Sequence, residues 1–279
     1  MRVERPASPI GLRLGSRGYD LTTRALVMGI LNRTPDSFYE PAATPDLDDL
    51  FARADALVAD GADILDVGGV RAGPGPEVTE AEELDRVVPA VEGLVARFDV
   101  AVSVDTWRAS VAEAGFAAGA TLGNDISGFA DPRYLAVAAD SGASVVATHI
   151  RLAPRVADPE PHYVDVVATV EAALVGLRER ALGAGLSADR VVLDAGLDLG
   201  KSPDQSLTLL RESGRLAALG SPLLLSASNK TFLGTLFDLG VLERREASLA
   251  ATALGVAAGC RIVRAHDVVG AVRVRDTLA

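Results

Sequence analysis

Residue types that are otherwise scarce in this chain recur just after its apolar segments. The sequence contains only two lysines and three asparagines, because arginine supplies almost every other cation. These five residues, and two of the three histidines, lie at or beyond the ends of apolar runs: Asn32, Asn124, His149, Lys201, Asn229, Lys230 and His266. Asparagine is a common turn residue, but lysine has no such preference. This concentration of amides, cations and imidazoles predicts a binding site for a polar ligand.

Four aspartates lie late in otherwise apolar segments: Asp66, Asp105, Asp125 and Asp194. A buried carboxylate must find hydrogen-bond donors. An ion pair with arginine or lysine would satisfy any one of them, whereas a ligand with several N–H groups would satisfy several together. Both interpretations stay open at this point. An amino-pyrimidinone ring is one ligand of that kind, and Asp105, Asn124, Asp194 and Lys230 together offer the donors and acceptors that suit it.

The last apolar run ends in Arg264 and, two residues later, His266. Side chains two positions apart on a strand share a face, and a helix that starts after them adds unpaired N–H groups. The pair is therefore a candidate anion site. Asn32 is a candidate ligand of Mg²⁺, because an amide oxygen can complete the oxygen shell of a phosphate-bound ion.

One apparent phosphate-binding motif is rejected. Residues 195–202, AGLDLGKS, approach the pattern G-x-x-x-x-G-K-S but begin with Ala195, contain Asp198 and are followed at once by Pro203. Asp198 would repel a phosphate group, so a nucleotide triphosphatase is not predicted. The single cysteine, Cys260, lies in an Ala/Gly-rich apolar stretch and is interpreted as a small buried hydrophobe, and no disulfide is possible.

Eight short apolar runs, each followed by a longer segment with helical spacing, organise the chain. The predicted strands are 25–32, 62–69, 101–106, 121–127, 144–150, 190–196, 221–228 and 261–267. Apolar strands that alternate with helices indicate a parallel sheet covered by helices. Eight units favour a closed α/β TIM (β/α)8 barrel, a single domain over 1–279 with a short N-terminal extension 1–24. The alternative is an open α/β sheet, which the missing Gly-rich turn after the first strand disfavours.

Composition limits the classes of partner. A net charge of −11 argues against a protein that binds the nucleic-acid backbone. The apolar runs are too short to span a membrane, and the N-terminus lacks the features of a secretory signal. The expectation is a soluble, cytoplasmic protein that acts on a small molecule.

Seven segments then occur in a recognisable order: GILNRTPDSF, DVGG, SVDT, GNDIS, LDAGLDLGKS, SASNKTF and VRAHDV. Together they resemble the dihydropteroate synthase family of folate biosynthesis, over almost the whole chain beyond residue 24. The resemblance implies a TIM barrel, usually a homodimer, that binds 6-hydroxymethyl-7,8-dihydropterin diphosphate with Mg²⁺. Such a transferase joins the pterin methylene to the amine of p-aminobenzoate and releases diphosphate.

The resemblance also implies individual roles. The positions that hold the pterin correspond to Asp105, Asn124, Asp194 and Lys230. The catalytic diphosphate and magnesium site corresponds to Asn32, the metal ligand, with Arg264 and His266. The positions around the second substrate correspond to Phe38, Arg71, Leu199 and Thr231.

The chain departs from the family pattern in the loops on the p-aminobenzoate side. The usual G-G-E-S-T-R-P-G reads GGVRAGPG, which puts Gly73 at the arginine position and Arg71 two places early. The usual G-F-G-F-G-K reads GLDLGK, and the usual S-R-K reads SNK. Replacing Gly73 by arginine is therefore expected to increase the use of p-aminobenzoate.

Three functions remain open. The first is a dihydropteroate synthase with a remodelled second-substrate pocket. The second is a paralogue resembling the second-copy actinobacterial form, which would bind the pterin diphosphate without making dihydropteroate and would use another amine or act as a non-catalytic partner. The third is a pterin-binding methyltransferase module of related fold, which would not need the pair Arg264 and His266.

Overall fold

A closed barrel of eight parallel strands forms the centre of the molecule, in a computed structural model that describes residues 10–34 and 46–279. A two-stranded antiparallel hairpin precedes it, β1 (Gly11–Leu14) and β2 (Arg17–Asp20). The barrel strands are β3 (Leu26–Asn32), β4 (Ile64–Gly68), β5 (Ala101–Asp105), β6 (Leu122–Asp125), β7 (Ser144–Thr148), β8 (Val191–Asp194), β9 (Leu223–Leu225) and β10 (Ile262–Ala265). The barrel closes where β10 pairs with both β3 and β9.

Helices follow every barrel strand and cover the outside of the barrel. They are α1 (Leu47–Ala59), α2 (Glu80–Arg97), α3 (Ala109–Ala117), α4 (Tyr134–Asp140), α5 (Val166–Gly183), α6 (Pro203–Arg211), α7 (Ser213–Ala217), α8 (Thr231–Phe237), α9 (Arg245–Ala258) and α10 (Val268–Leu278). The predicted (β/α)8 barrel is confirmed, and closure excludes the open sheet. Within residues 10–34 and 46–279, no helix is long and apolar enough to cross a membrane.

Each predicted run contains one barrel strand, but the strands are shorter than the runs. The largest difference is at 221–228, where only Leu223–Leu225 pairs as a strand. The residues beyond it, including Ser226 and Ser228, line a cavity instead. Apolar composition therefore located the strands, whereas their ends are set by where the chain turns to form the mouth of the barrel.

Two apolar cores lie on opposite sides of the barrel wall, because side chains of a strand alternate between its faces. The outer core lies between strands and helices and contains residues such as Val27, Leu65 and Val104. The inner core fills the lower barrel with Leu26, Ile64 and Leu122, among others. Further along the strands the inward positions become polar, as at Asp66 of β4, Asn124 of β6 and, only at its end, Asn32 of β3. The inside of the barrel is thus apolar at the bottom and polar at the top.

The hairpin closes the bottom of the barrel. Leu12, Leu14 and Leu21 are at most 2% exposed and pack against the inner core. The sequence predicted only an N-terminal extension here, since strands of four residues carry little periodic signal. The described part of this extension is an integral part of the inner core.

Helix α2 is hydrogen-bonded to the residues that directly follow β3 and β4. Pro89 lies inside the helix and has no N–H, so it cannot bond to the carbonyl of Asp85 four residues earlier. The Arg33 Nη1 group donates to Asp85 O at 3.0 Å and to Arg86 O at 2.7 Å. Arg86 Nη1 in turn donates to Gly69 O at 2.9 Å. These bonds hold the ends of β3 and β4 against the helix.

Candidate active site

A line of inward-facing residues crosses four neighbouring strands near the top of the barrel. The pairing register places Asn32 beside Gly68, Gly68 beside Asp105, and Asp105 beside Asn124. A Cβ atom at Gly68 would lie 3.5 Å from that of Asp105. Because glycine has no side chain, space remains between Asn32 and Asp105 on either side of it. The strands therefore bring three of the predicted site residues to one level.

Arg264 of β10, the strand next to β3, extends inside the barrel to this line. Its Nε donates to Asp66 Oδ2 at 2.7 Å and its Nη2 donates to Asp105 Oδ2 at 2.8 Å. Asp66 Oδ2 also accepts from Asn124 Nδ2 at 3.1 Å. Asp66 is completely buried, so these charge-assisted bonds compensate for its lost hydration. The bond from Nδ2 also leaves the amide oxygen of Asn124 as an acceptor for another group.

Two carboxylates thus share one guanidinium. Burial raises the pKa of Asp105 to about 7, although the charge of Arg264 opposes that shift. Burial lowers the pKa of Arg264, but the charges of Asp66 and Asp105 outweigh this effect. The pKa of Arg264 is therefore raised overall. The group therefore carries one net negative charge when both acids are ionised.

Asp194 and Lys230 approach from the opposite side of the barrel. Asp194 is 6% exposed, and its Oδ1 accepts from Gly196 N at 2.8 Å. Burial raises its pKa, against the charges of Lys230 and other cations. Lys230 directly precedes α8 and donates from Nζ to Leu197 O at 3.2 Å. An acceptor and a cationic donor thus lie on this side of the barrel.

His266 lies just beyond β10, on the same face as Arg264. Its Nδ1 is 3.0 Å from Ser228 Oγ, which also accepts from His266 N at 3.1 Å. Arg53 Nη2 donates to His266 O at 2.9 Å. Burial lowers the pKa of His266 to about 3, and the charges of Arg264 and Arg53 add to that effect. The imidazole is therefore neutral near pH 7 and would meet an anion as a hydrogen-bond donor.

A cavity of about 710 Å³ opens above these residues. Eight of the predicted site residues line it: Asn32, Arg71, Asp105, Leu199, Lys230, Thr231, Arg264 and His266. Asn124 and Asp194 are more than nine-tenths buried and do not contribute to its lining. Phe38, with the rest of 35–45, lies outside the described residues. The cavity has the size expected for a small-molecule site.

Several other residues from the sequence analysis have structural roles. Asp125 faces outward and accepts from Ser127 N at 2.5 Å and Phe129 N at 2.9 Å, so it shapes the turn after β6. Lys201 is 7% exposed, and its Nζ donates to three backbone carbonyls, those of His149, Gly196 and Leu199. Burial lowers its pKa to about 7. Neither side chain lines the cavity.

The chain is similar to known proteins over almost its whole length. A family described as "Pterin binding enzyme" matches residues 28–266. The "Inactive dihydropteroate synthase 2" of Mycobacterium leprae (strain TN) is 45% identical over 266 residues, which cover 92% of this chain and 90% of the relative. The dihydropteroate synthase of Bacillus subtilis (strain 168) is 38% identical over 247 residues, with 88% and 84% covered. The chain belongs to the dihydropteroate synthase family.

Structural similarity to that family is equally extensive. The solved dihydropteroate synthase of Yersinia pestis in complex with a sulfonamide drug superposes with a TM-score of 0.92 at 36% identity. The alignment covers 96% of this chain and 97% of the other. The predicted resemblance is confirmed, including the likeness to a second-copy actinobacterial form.

The loop after β4 keeps a guanidinium near the position where the dihydropteroate synthase pattern has an arginine. A Cβ atom at Gly73 would lie 3.6 Å from Arg71 Nη2. The Arg71 guanidinium therefore lies beside the position where the pattern has an arginine, although Arg71 is two residues early. Arg155 holds this loop through Arg155 N, which donates to Ala72 O at 3.1 Å, and through a bond from its guanidinium to Pro76 O.

The loop after β8 departs further from the dihydropteroate synthase pattern. The carboxylate of Asp198 accepts from Thr231 N at 2.6 Å and from Phe232 N at 3.1 Å. Asp198 lines the cavity together with Leu199 and Thr231, so a fixed acid lies among the predicted second-substrate residues. The sequence analysis considered Asp198 only as a reason to reject a phosphate loop.

Two further site residues were missed. Asp66 was one of four candidate acids, and nothing in the sequence singled it out as the partner of both Arg264 and Asn124. Arg155 lies in the loop between β7 and α5, and its role depends on a contact with Pro76, 79 residues away. The inward alternation of β4 could have identified Asp66, because Ile64 and Asp66 share a face. No local signal identifies Arg155.

Proposed function

We propose that the protein binds 6-hydroxymethyl-7,8-dihydropterin diphosphate and transfers its pterinylmethyl group to an amine, as a dihydropteroate synthase does. The observation that carries this proposal is the network of Asp66, Asp105, Asn124 and Arg264 below the cavity. It combines carboxylate and amide acceptors, which suit the N–H groups of an aminopyrimidinone ring, with an adjacent guanidinium. Asp194 and Lys230 would complete the contacts to the ring.

The anion end of the substrate would lie toward Arg264 and His266. Arg264 would contribute charge and His266 a hydrogen bond, since its low pKa keeps it neutral. Both would stabilise the negative charge that develops on diphosphate as the carbon–oxygen bond breaks. Ser228 fixes the orientation of the imidazole by bonding to Nδ1. The network Asp66–Arg264–Asp105 would hold the guanidinium in place before the substrate arrives.

Mg²⁺ belongs to the same proposal, with Asn32 as its ligand. Asn32 lies at the end of β3 and lines the cavity with Arg264 and His266. Among the described residues there is no group of three or more His, Cys, Asp and Glu side chains able to hold a metal. Asn32 therefore suits an ion that is bound mainly by the diphosphate oxygens and takes a single amide ligand from the protein. When bound, it would neutralise charge on the leaving diphosphate.

The amine would attack the methylene carbon from the side opposite diphosphate. An aromatic amine is neutral at pH 7, so the site needs no strong general base. Arg71, Leu199 and Thr231 line the cavity on the loop side and are the proposed contacts of this second substrate. p-Aminobenzoate, the amine implied by the resemblance, is the first compound to test.

Dimer formation and a cytoplasmic location also remain proposals. Phe237, the last residue of α8, is 59% exposed, and Leu242, five residues further on, is 69% exposed. Large apolar side chains that are exposed together are typical of an interface between protein chains. Sedimentation equilibrium would test a homodimer, and Phe237→Ser would be expected to weaken it.

The test of the proposed reaction is diphosphate release from the pterin diphosphate and Mg²⁺, with and without p-aminobenzoate. Release that depends on the amine, together with formation of dihydropteroate, would establish synthase activity. Calorimetry on Asp194→Ala and Lys230→Ala would test the pterin site, and both variants are expected to lose binding. Asp189→Ala, which removes a surface acid paired with Arg13, serves as the control. Unchanged affinity in Asp194→Ala would overturn the assignment.

A second candidate function is a paralogue that binds the pterin diphosphate but makes no dihydropteroate. The 45% identical Mycobacterium leprae relative bears the name "Inactive dihydropteroate synthase 2", and the loop after β8 is altered on the second-substrate side. Tight pterin binding without diphosphate release in the presence of p-aminobenzoate would favour this candidate. Loss of pterin binding altogether would exclude both.

A further inference from the structure

In the loop after β8, three residues at every second position have the left-handed backbone conformation. Gly196, Asp198 and Gly200 have φ angles of 66°, 67° and 65°. The family pattern G-F-G-F-G-K has glycine at all three positions, because glycine adopts this conformation without steric cost. Asp198 is therefore an aspartate where glycine would be favoured. Aspartate is among the few other residues that tolerate this conformation.

The Asp198 carboxylate has a specific set of partners. Its Oδ2 accepts from Thr231 N at 2.6 Å, and its Oδ1 accepts from Phe232 N at 3.1 Å. Burial raises its pKa, while the charge of Lys230 and the two N–H bonds act in the opposite direction. The side chain is partly buried in the wall of the cavity, next to Leu199. The acid is thus fixed in place, facing the space proposed for the amine.

Three of the cations near this wall, Lys230, Arg244 and Arg155, are already engaged with the main chain. Lys230 donates to Leu197 O at 3.2 Å, and Arg244 Nη1 donates to Asn229 O at 3.0 Å. Arg155 donates to Pro76 O. A carboxylate that enters here would meet the Asp198 anion and find the N–H groups of Thr231 and Phe232 occupied.

The remaining surface of this wall is largely apolar. Val70, Leu152 and Leu199 line the cavity beside the loops after β4, β7 and β8. Such a surface favours an aromatic ring over a flexible polar chain, because burial of apolar area drives binding. The chemistry of the wall therefore suits a flat, apolar and uncharged group.

We propose that Asp198 is a specificity-determining residue, which excludes anionic second substrates, and that the site takes an uncharged aromatic amine without a carboxylate on its ring. This inference rests on the proposed function, since it concerns the amine that accepts the pterinylmethyl group. The amine nitrogen would form the new bond to the methylene carbon as the bond from that carbon to diphosphate oxygen breaks. One N–H proton would leave with the diphosphate.

The test compares two ligands of nearly the same shape, 4-aminobenzoate, which carries a negative charge, and 4-aminobenzamide, which is neutral and has an NH2 group in place of one carboxylate oxygen. Their dissociation constants are measured by calorimetry on the full-length protein, in the presence of a dihydropterin that lacks a leaving group, inorganic diphosphate and Mg²⁺. Asp198→Gly removes the carboxylate and keeps the left-handed backbone accessible. Asp198→Asn keeps an oxygen acceptor but removes the charge. Asp204→Asn, an exposed first-turn residue of α6, makes the same change in net charge outside the cavity.

The wild-type protein is expected to bind 4-aminobenzamide at least as tightly as 4-aminobenzoate. Asp198→Gly should tighten 4-aminobenzoate binding by about tenfold or more, the effect of gaining hydrogen bonds to a charged group. Asp198→Asn should give a smaller gain in the same direction, and Asp204→Asn should give none.

A clear wild-type preference for 4-aminobenzoate, unchanged selectivity in Asp198→Gly, or binding of neither amine to any variant would each overturn the inference. Titration of the pterin diphosphate itself is measured separately. If the pterin fails to bind while Asp198→Gly still shifts the amine selectivity, the proposed function is wrong and the role of Asp198 stands. If the pterin binds and the selectivity does not shift, only the role of Asp198 is wrong.

Discussion

The two walls of the cavity are built in different ways. On the strand wall, side chains of β4, β5, β6 and β10 bond directly to one another, as in the network of Asp66, Asp105, Asn124 and Arg264. On the loop wall, Arg155, Arg244 and Asp198 bond to backbone groups of neighbouring loops. A change of one residue on the strand wall leaves a buried charge without its partner. A change on the loop wall leaves a backbone group that water or another side chain can satisfy.

This difference explains why the chain keeps the family residues on one wall and departs from them on the other. The strand wall is a coupled set, so its members must change together. The loop wall can vary one position at a time, because each residue there has its own partners. A second-substrate site can therefore diverge while the pterin site beneath it stays intact.

The largest expected effect is on the strand wall. Arg264→Met should lower the free energy of unfolding by about 3–5 kcal/mol, because it leaves the buried carboxylates Asp66 and Asp105 together without a cation. Arg155→Met, the matched change on the loop wall, should cost about 1 kcal/mol, the typical value of one hydrogen bond. Urea unfolding of both variants measures the difference. Equal losses would contradict the distinction between the two walls.

Lys201 is expected to show an intermediate effect. Lys201→Met leaves the carbonyls of His149, Gly196 and Leu199 without their shared donor and should cost about 1–3 kcal/mol. Amide exchange should become faster in 195–201 and stay slow in β3–β6. Arg261→Met is the control, because Arg261 is also buried and donates to backbone carbonyls of Val256 and Cys260, away from the cavity lining. Faster exchange of 195–201 in both variants would show that the effect is not local.

Asp105 should make pterin binding depend on pH. Its pKa is raised to about 7, so the ionised form, which accepts N–H groups, increases as pH rises through that value. Affinity should increase by up to about tenfold per pH unit below pH 7 and level off above it. Between pH 3.8 and about 7 the folded chain retains a proton that the unfolded chain loses, so the free energy of unfolding from this group falls as pH rises. Calorimetry over this range on the wild type and Asp105→Asn, which should show a flat profile, provides the test.

The smallest expected effect is that of Gly73→Arg. Arg71 already places its guanidinium 3.6 Å from a Cβ at this position, so a second arginine adds a like charge next to the first. The gain in affinity for p-aminobenzoate should be less than about threefold, within the range of exposed charge interactions. In an Arg71→Ala background, the same substitution should restore the cation and give a larger gain. Equal effects in both backgrounds would show that the two guanidinium groups do not share one location.

The sequence was informative where regular strands place the side chains. The eight apolar runs located the barrel, and residues such as Asn32, Asp105 and Arg264 could be assigned to its upper rim because inward positions recur every second residue. Asp125 shows the limit of that argument. It follows Asn124 directly and therefore faces outward, which a list of acids at strand ends does not distinguish.

The loop wall could not be predicted because its contacts join distant segments. Arg155 contacts Ala72 and Pro76, and Asp198 contacts Thr231, 33 residues further on. No periodicity marks such pairs. The alignment of Gly73 with the family arginine was correct in sequence, but the guanidinium of Arg71 lies beside that position in space. The loop therefore keeps a guanidinium near this position, which the alignment alone did not indicate.

The hairpin β1–β2 also has a consequence for how the chain folds. Leu12, Leu14 and Leu21 pack against inner residues that extend from Leu26 to Ile262. The surface against which these leucines pack is thus complete only after strands from both ends of the sequence have come together. Contacts between such distant segments form slowly, because long loops must close first. The hairpin is therefore expected to be among the last parts of the barrel to reach its native position.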